Sequence, residues 1–115
     1  MIMKIDAIVR EEKFEDVKNA LMEIEVNGLT VSQVMGCGTQ HGYTEYVRGQ
    51  EVEVKMLPKI KFEIVVSSEE WAEKTIEANC QAAYTGEVGD EKIVTYRLKD
   101  AMKSRTRETG EKAIK

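Results

Sequence analysis

A chain of 115 residues has the length of one compact domain, and 42% apolar beside 33% charged residues is an ordinary soluble globular mixture. One Pro and eight Gly exclude disorder as the default reading, and a formal net charge of −4 excludes broad non-specific nucleic-acid binding, which needs a clustered basic face. Residues 1 to 10 contain no signal-peptide core and no stretch approaches a membrane span, so the expectation is a cytoplasmic protein without membrane insertion.

The elements follow in chain order. Ile5, Ala7 and Val9 alternate with Lys4, Asp6 and Arg10, which is strand periodicity, and Ile8 on the second face implies that both faces are partly covered. Phe14, Val17, Leu21 and Ile24 then recur at helical steps, with Glu15, Asp16, Lys18, Asn19 and Glu23 outside. Asn27-Gly28 is expected to end that helix, since glycine accepts the left-handed cap. Leu29 to Met35 reads as a second strand, rich in β-branched residues.

Gly36-Cys37-Gly38 breaks the pattern, and the chain stays polar and irregular to Val54. So long a loop in so small a domain is usually functional or partner-binding; the alternative is a β-ribbon over Glu45 to Lys55, where Val47, Val52 and Val54 partly alternate. Ile60, Phe62, Ile64 and Val66 mark a third strand, and Ser67-Ser68-Glu69-Glu70 supplies a cap and acids for a helix start. Ala72, Ile76, Asn79, Cys80 and Ala83 line one helical face, with Trp71 anchoring the first turn. Thr85 to Asp90 is a tight Gly-bearing turn, Ile93 to Leu98 a fourth strand, and the remainder from Lys99 is mostly polar.

Strand, helix, strand, loop, strand, helix, strand is a doubled βαβ. It implies an α+β, ferredoxin-like fold: an antiparallel four-stranded sheet with both helices on one face, in a single domain over 1–115. Ile8, Val65 and their neighbours on the other face call for cover, which a ring of subunits would supply.

The chemistry points to binding rather than catalysis. His41 is the one histidine, Cys37 and Cys80 are too few and too far apart for a disulfide framework or a zinc site, and no nucleophile–base constellation can be assembled. Arg97, Lys99, Lys103, Arg105 and Arg107 form a basic C-terminal cluster, readable as a solvated edge or as an anion site. Gly36 to Gly38 and Gly86 to Gly89 can turn backbone amides toward phosphate oxygens. With Lys92, Lys103 and Arg105 they make a nucleotide polyphosphate plausible, although neither is a nucleoside-triphosphatase P-loop.

The run Thr85-Gly86-Glu87-Val88-Gly89-Asp90-Glu91-Lys92-Ile93 resembles the second signature of the PII family of nitrogen-regulatory signal proteins, usually TG-x-[IV]-GDGKI. Gly36 through Gly49 is similar to the family's T-loop, which here runs over about 36–54. Leu57-Pro58-Lys59-Ile60-Lys61 is similar to the strand after it, and Ser104-Arg105-Thr106 with Gly110-Glu111 to Ile114 to the family's tail within the basic segment 97–115.

The resemblance implies a homotrimer with three clefts between subunits, where ATP and ADP compete and where 2-oxoglutarate joins Mg-ATP. Carried over, the nucleotide touches Thr30, Gly38, Thr39, Gln40, Val65, the turn residues Gly89, Asp90, Glu91 and Lys92 within 85–92, and Lys103 and Arg105. Gln40 would hold Mg²⁺ and 2-oxoglutarate, and Lys59 would pair with a 2-oxoglutarate carboxylate. The T-loop, through Tyr43, Glu45, Tyr46, Arg48, Gln50 and Val52, would dock on an ammonium transporter at the membrane, on glutamine synthetase or another nitrogen-metabolism enzyme, or on a transcription regulator. Val52 stands where some members carry a uridylylated Tyr and has no hydroxyl to modify. Glu91 replaces the second Gly of GDGK, Thr39 stands where Arg is frequent, and Lys103 lacks the fork of the Arg common there. The implied role is a non-catalytic sensor of ATP, ADP and 2-oxoglutarate; a trimer sensing another nucleotide or a small anion is the alternative.

Overall fold

The alternation of Ile5, Ala7 and Val9 becomes strand β1 (Met3–Arg10), whose odd-numbered side chains are buried beneath the helices. A short 3₁₀ turn leads into α1 (Phe14–Glu23), and β2 (Leu29–Gly36) follows. Two-residue strands β3 (Tyr46–Val47) and β4 (Gln50–Glu51) pair with each other, then β5 (Leu57–Val66), α2 (Glu69–Ala83) and β6 (Ile93–Arg97) complete the domain. The computed structural model describes residues 1–26, 28–36, 46–47, 50–51, 56–87, 90 and 92–114.

The main sheet has the order β2-β5-β1-β6, every neighbour antiparallel, as a doubled βαβ requires. Register puts Ile5 opposite Ile64 and Ala7 opposite Phe62, so one face of both central strands is continuously apolar. Val17 and Leu21 of α1 and Ala72 of α2 close over that face, and Phe14 stacks on Phe62 with ring centroids 5.7 Å apart. Phe62, Ile5, Leu21, Ile64 and Val17 are the largest fully buried apolar side chains, so the core lies between the central strands and the helices.

Several element ends differ from the sequence reading. The first helix stops at Glu23, well before Gly28. Glu25 takes the left-handed conformation (φ 65°); its amide donates to the Met22 carbonyl, and the Val26 amide to the Leu21 carbonyl. This paired closure is usually built on glycine; here the burial of Val26 beside Leu21 holds it. β5 begins at Leu57, since Leu57, Pro58 and Lys59 pair with Gly36, Met35 and Val34. β6 ends at Arg97, although the Leu98 amide still donates to the Ile2 carbonyl at 3.1 Å.

In α2 the buried positions are Ala72, Thr75 and Asn79; Cys80, expected inward, is exposed and is a free thiol. Thr75 passes unnoticed in the pattern because its hydroxyl is polar, but it donates back to the Trp71 carbonyl at 2.7 Å and so can be buried. Ser68 caps α2 as expected, accepting from the Trp71 amide at 3.1 Å. Of the ribbon given as the alternative over Glu45 to Lys55, the described residues show the short β3–β4 pair. Ile8 and Val65 are half-buried rather than fully exposed.

The other sheet face is mixed: Ile8, Val65, Val94 and Tyr96 share it with a charged cluster. Asp6 is buried there at 7% exposure and accepts from the Tyr96 hydroxyl at 2.9 Å, with Lys4 Nζ 3.4 Å from its second oxygen. Lys4 in turn donates to Glu63 at 2.9 Å.

Candidate functional site

The Gly-bearing turn after α2 is assembled around one carboxylate. Asp90 accepts from the Thr85 amide at 3.0 Å, from the Gly86 amide at 3.1 Å and from the Thr85 hydroxyl. The Thr85 hydroxyl oxygen also accepts from the Glu87 amide at 3.1 Å. Gly86 is needed at its φ of 77°, and a Cβ there would sit 3.1 Å from the Tyr84 hydroxyl oxygen. Arg10, at the end of β1, donates its Nε to Asp90 at 3.2 Å and ties the turn to the sheet.

Partial burial pushes the Asp90 pKa up. The hydrogen bonds from the Thr85 hydroxyl and amide, the Arg10 guanidinium and the Gly86 amide outweigh it and bring the group from 3.8 down to about 2. The Asp90 carboxylate is therefore a fastening of the turn. Lys92 follows it, exposed, just before β6.

A second concavity lies at the other end of the sheet. A cleft of about 640 Å³ is bounded by Val26, Gly28, Val65 and Trp71 and by Lys103, within the range of small-molecule sites. Its walls are mostly apolar, and the charged residues that line it are Lys103 and Glu25.

The structure sorts the expected nucleotide residues into two groups. Val65 faces Lys4 of β1, whereas Asp90 is bound to Arg10, six residues farther along the same strand. At about 3.3 Å per residue that is roughly 20 Å of strand. Val65 and Lys103 line the cleft; Thr30, opposite Glu63, lies toward that end, and Arg105 sits exposed in the C-terminal turn. Asp90 and Lys92 lie at the opposite end, with Lys59, which pairs with Arg10 and Val34 and is 3% exposed. Gly38, Thr39, Gln40, Gly89 and Glu91 lie outside the described residues, as do Tyr43, Glu45, Arg48 and Val52; of Tyr46 and Gln50 only the strand pairing is described.

Arg10, Trp71 and the tail residues Ala113 and Ile114 were not singled out from the sequence as site residues. Arg10 reads as the last residue of a strand, and only the fold shows that the 85–90 turn reaches it. Among the described residues no cluster of His, Cys, Asp or Glu could hold a metal ion, and no helix is long and apolar enough to cross a membrane.

The profile of the family described as "Nitrogen regulatory protein P-II" matches residues 2–108. Nitrogen regulatory protein P-II of Rhodospirillum rubrum is 46% identical over 111 residues, covering 96% of this chain and 98% of that protein. Nitrogen regulatory protein P-II 1 of Methanothermobacter thermautotrophicus is 49% identical over 111 residues, covering 96% of each. The crystal structure of Arabidopsis thaliana PII bound to citrate superposes with a TM-score of 0.79 at 38% identity, over 97% of this chain and 91% of that one. These relatives are named as regulatory proteins rather than enzymes, and this chain belongs to the nitrogen regulatory protein P-II family.

Proposed function

We propose that the protein is a homotrimeric signal transducer of 115-residue single-domain subunits that senses ATP and ADP, with 2-oxoglutarate as a second effector in the presence of Mg²⁺. The observation that carries this reading is the separation of the two half-sites. The Asp90-Lys92 turn and the Val65-Lys103 cleft lie at opposite ends of β1, so no single chain can apply both to one nucleotide. Two copies placed side by side can, and the nucleotide then lies between them, with Lys92 of the turn on its phosphates. Lys103 and Arg105 of the neighbouring copy add charge-assisted contacts to the same phosphates.

Lys59, Gln40 and the chain leaving β2 would meet 2-oxoglutarate at the turn's end of the sheet, and Gln40 would orient Mg²⁺. The loop over about 36–54 is the output. It docks on a nitrogen-metabolism partner: an ammonium transporter, glutamine synthetase or a transcription regulator. This places the protein in the cytoplasm, recruited to the membrane when the partner is a transporter. The half-buried Ile8 and Val65, with the Asp6–Lys4–Glu63 cluster, form the face that the other subunits cover.

The second reading, a trimer for a different nucleotide or small anion, is favoured by Glu91, which in the sequence replaces the second Gly of GDGK and adds a negative charge to that run. The citrate on the Arabidopsis relative shows a polycarboxylate on this fold.

Mixed oligomers test the shared site. Lys92→Ala damages the turn half and Lys103→Ala the cleft half. Each variant alone should lose ATP affinity. Co-refolded in equal amounts, they should recover wild-type affinity at roughly a quarter of the sites, those pairing two intact halves in a closed ring. No recovery would place the site within one chain and contradict the proposal. A ligand screen by thermal shift separates the two readings.

A further inference from the structure

β6 reaches β1 only as far as Ala7, which pairs with Ile93. Past that point Ile8, Val9 and Arg10 keep β5 on one side, and the end of α2 and the 85–90 turn lie toward the other. A cavity of about 170 Å³ occupies that gap. Val9, Ala83 and Ile93 give it apolar walls, and the exposed Cys80, a free thiol, stands at its rim. It lies at the turn's end of the sheet, apart from the cleft at Val65 and Lys103.

One polar side chain that lines it is unmet. Thr75 and Asn79 are the polar residues on the buried stripe of α2, and the Thr75 hydroxyl is satisfied by its own helix backbone. Asn79 lines the cavity and is 2% exposed, yet its Nδ2 has no hydrogen-bond partner among the described residues. A buried donor in that position is costly unless something enters to accept from it. The charges at the cavity's edge, Arg10 and Asp90, are bound to each other, so an incoming molecule meets one donor and little net charge. A space on the order of 150 Å³ is enough for a molecule the size of benzene.

We infer that this cavity is a binding site for a small uncharged molecule with a hydroxyl or carbonyl oxygen. The oxygen accepts from Asn79 Nδ2, and the apolar body packs against Val9, Ala83 and Ile93. Binding here needs no nucleotide. The site also backs onto Asp90, the carboxylate that shapes the 85–90 turn, so a molecule that fits it with the Arg10–Asp90 bond in place favours that shape of the turn.

The test places two isosteric probes in the cavity from Cys80, in the full chain carrying Cys37→Ser so that Cys80 is the only thiol. Hydroxyethyl methanethiosulfonate attaches a short arm ending in a hydroxyl, and propyl methanethiosulfonate attaches the same arm ending in a methyl. With Asn79 present, the hydroxyethyl adduct should melt about 3 °C above the propyl adduct, because its oxygen meets the unpaired donor. In Asn79→Leu the hydroxyethyl advantage should vanish, and the unlabelled variant should melt no lower than its parent, since an unmet donor has been removed. Equal melting of the two adducts with Asn79 present overturns the site, as it would if the cavity held only water. A hydroxyethyl advantage that survives in Asn79→Leu, or a Cys80 that neither reagent reaches in the folded protein, overturns it as well. The two adducts of the Asn79 protein decide the matter even where Asn79→Leu does not fold.

Discussion

Arg10 and Asp90, 80 residues apart in the chain, are joined by a hydrogen bond from Arg10 Nε to the Asp90 carboxylate at 3.2 Å. The bond fixes the turn after α2 to the end of β1. The same carboxylate holds the Thr85 and Gly86 amides, so the shape of the turn depends on the charge of one side chain.

Asp90 titrates at about 2 in the folded protein against an ordinary 3.8. A carboxylate with a depressed folded pKa adds stability that is fully present above the unfolded value and is lost as pH falls through the folded one. Asp90→Asn should therefore remove part of the acid sensitivity of the melting temperature between about pH 4 and pH 2. An acid profile identical to wild type would contradict the assignment. At neutral pH, Asp90→Ala should cost about 1–2 kcal/mol, because its donors are partly solvated.

Glu25 occupies the left-handed position that closes α1. An L side chain there carries a steric penalty that glycine avoids, so Glu25→Gly should stabilise the protein by about 1 kcal/mol in urea unfolding. Asp or Asn there should gain less.

Ser68 is the cap of α2, and its Oγ satisfies the Trp71 amide. Ser68→Ala should cost about 1 kcal/mol and Ser68→Asp little, read by the midpoint of thermal or urea unfolding.

Tyr96 donates its hydroxyl to the buried Asp6. That hydrogen bond, together with burial, raises the phenol above its ordinary pKa of 10.0. The protonated phenol contributes stability that is present below the unfolded pKa and lost as pH rises through the folded one. Absorbance titration should show one of the four tyrosines ionising late, and Tyr96→Phe should remove that component.

What could be read from the residues was what their period writes. The alternation over Ile60 to Val66 and the helical spacing of Phe14, Val17 and Leu21 need no tertiary information, and their succession pointed to a doubled βαβ with an antiparallel four-stranded sheet. Glu25 was missed because a non-glycine left-handed cap leaves no local mark; burial of Val26 on Leu21 decides it. Cys80 and Thr75 exchanged places because a hydroxyl bonded to its own helix backbone buries as well as a thiol. In the 85–92 turn, the glycines and the single cation Lys92 could be picked out by type and spacing as an expectation. That Asp90 fastens to Arg10, and that the tail returns to Val65 and Trp71, depends on contacts between distant parts of the chain.

The most direct measurement of the central claim is calorimetric titration of 2-oxoglutarate into the protein, with and without saturating Mg-ATP. A sensor in which both ligands share one intersubunit site predicts that 2-oxoglutarate binds with Mg-ATP present and not, or far more weakly, without it. Equal 2-oxoglutarate binding in both conditions, or no ATP binding at near-millimolar concentration, would contradict the account.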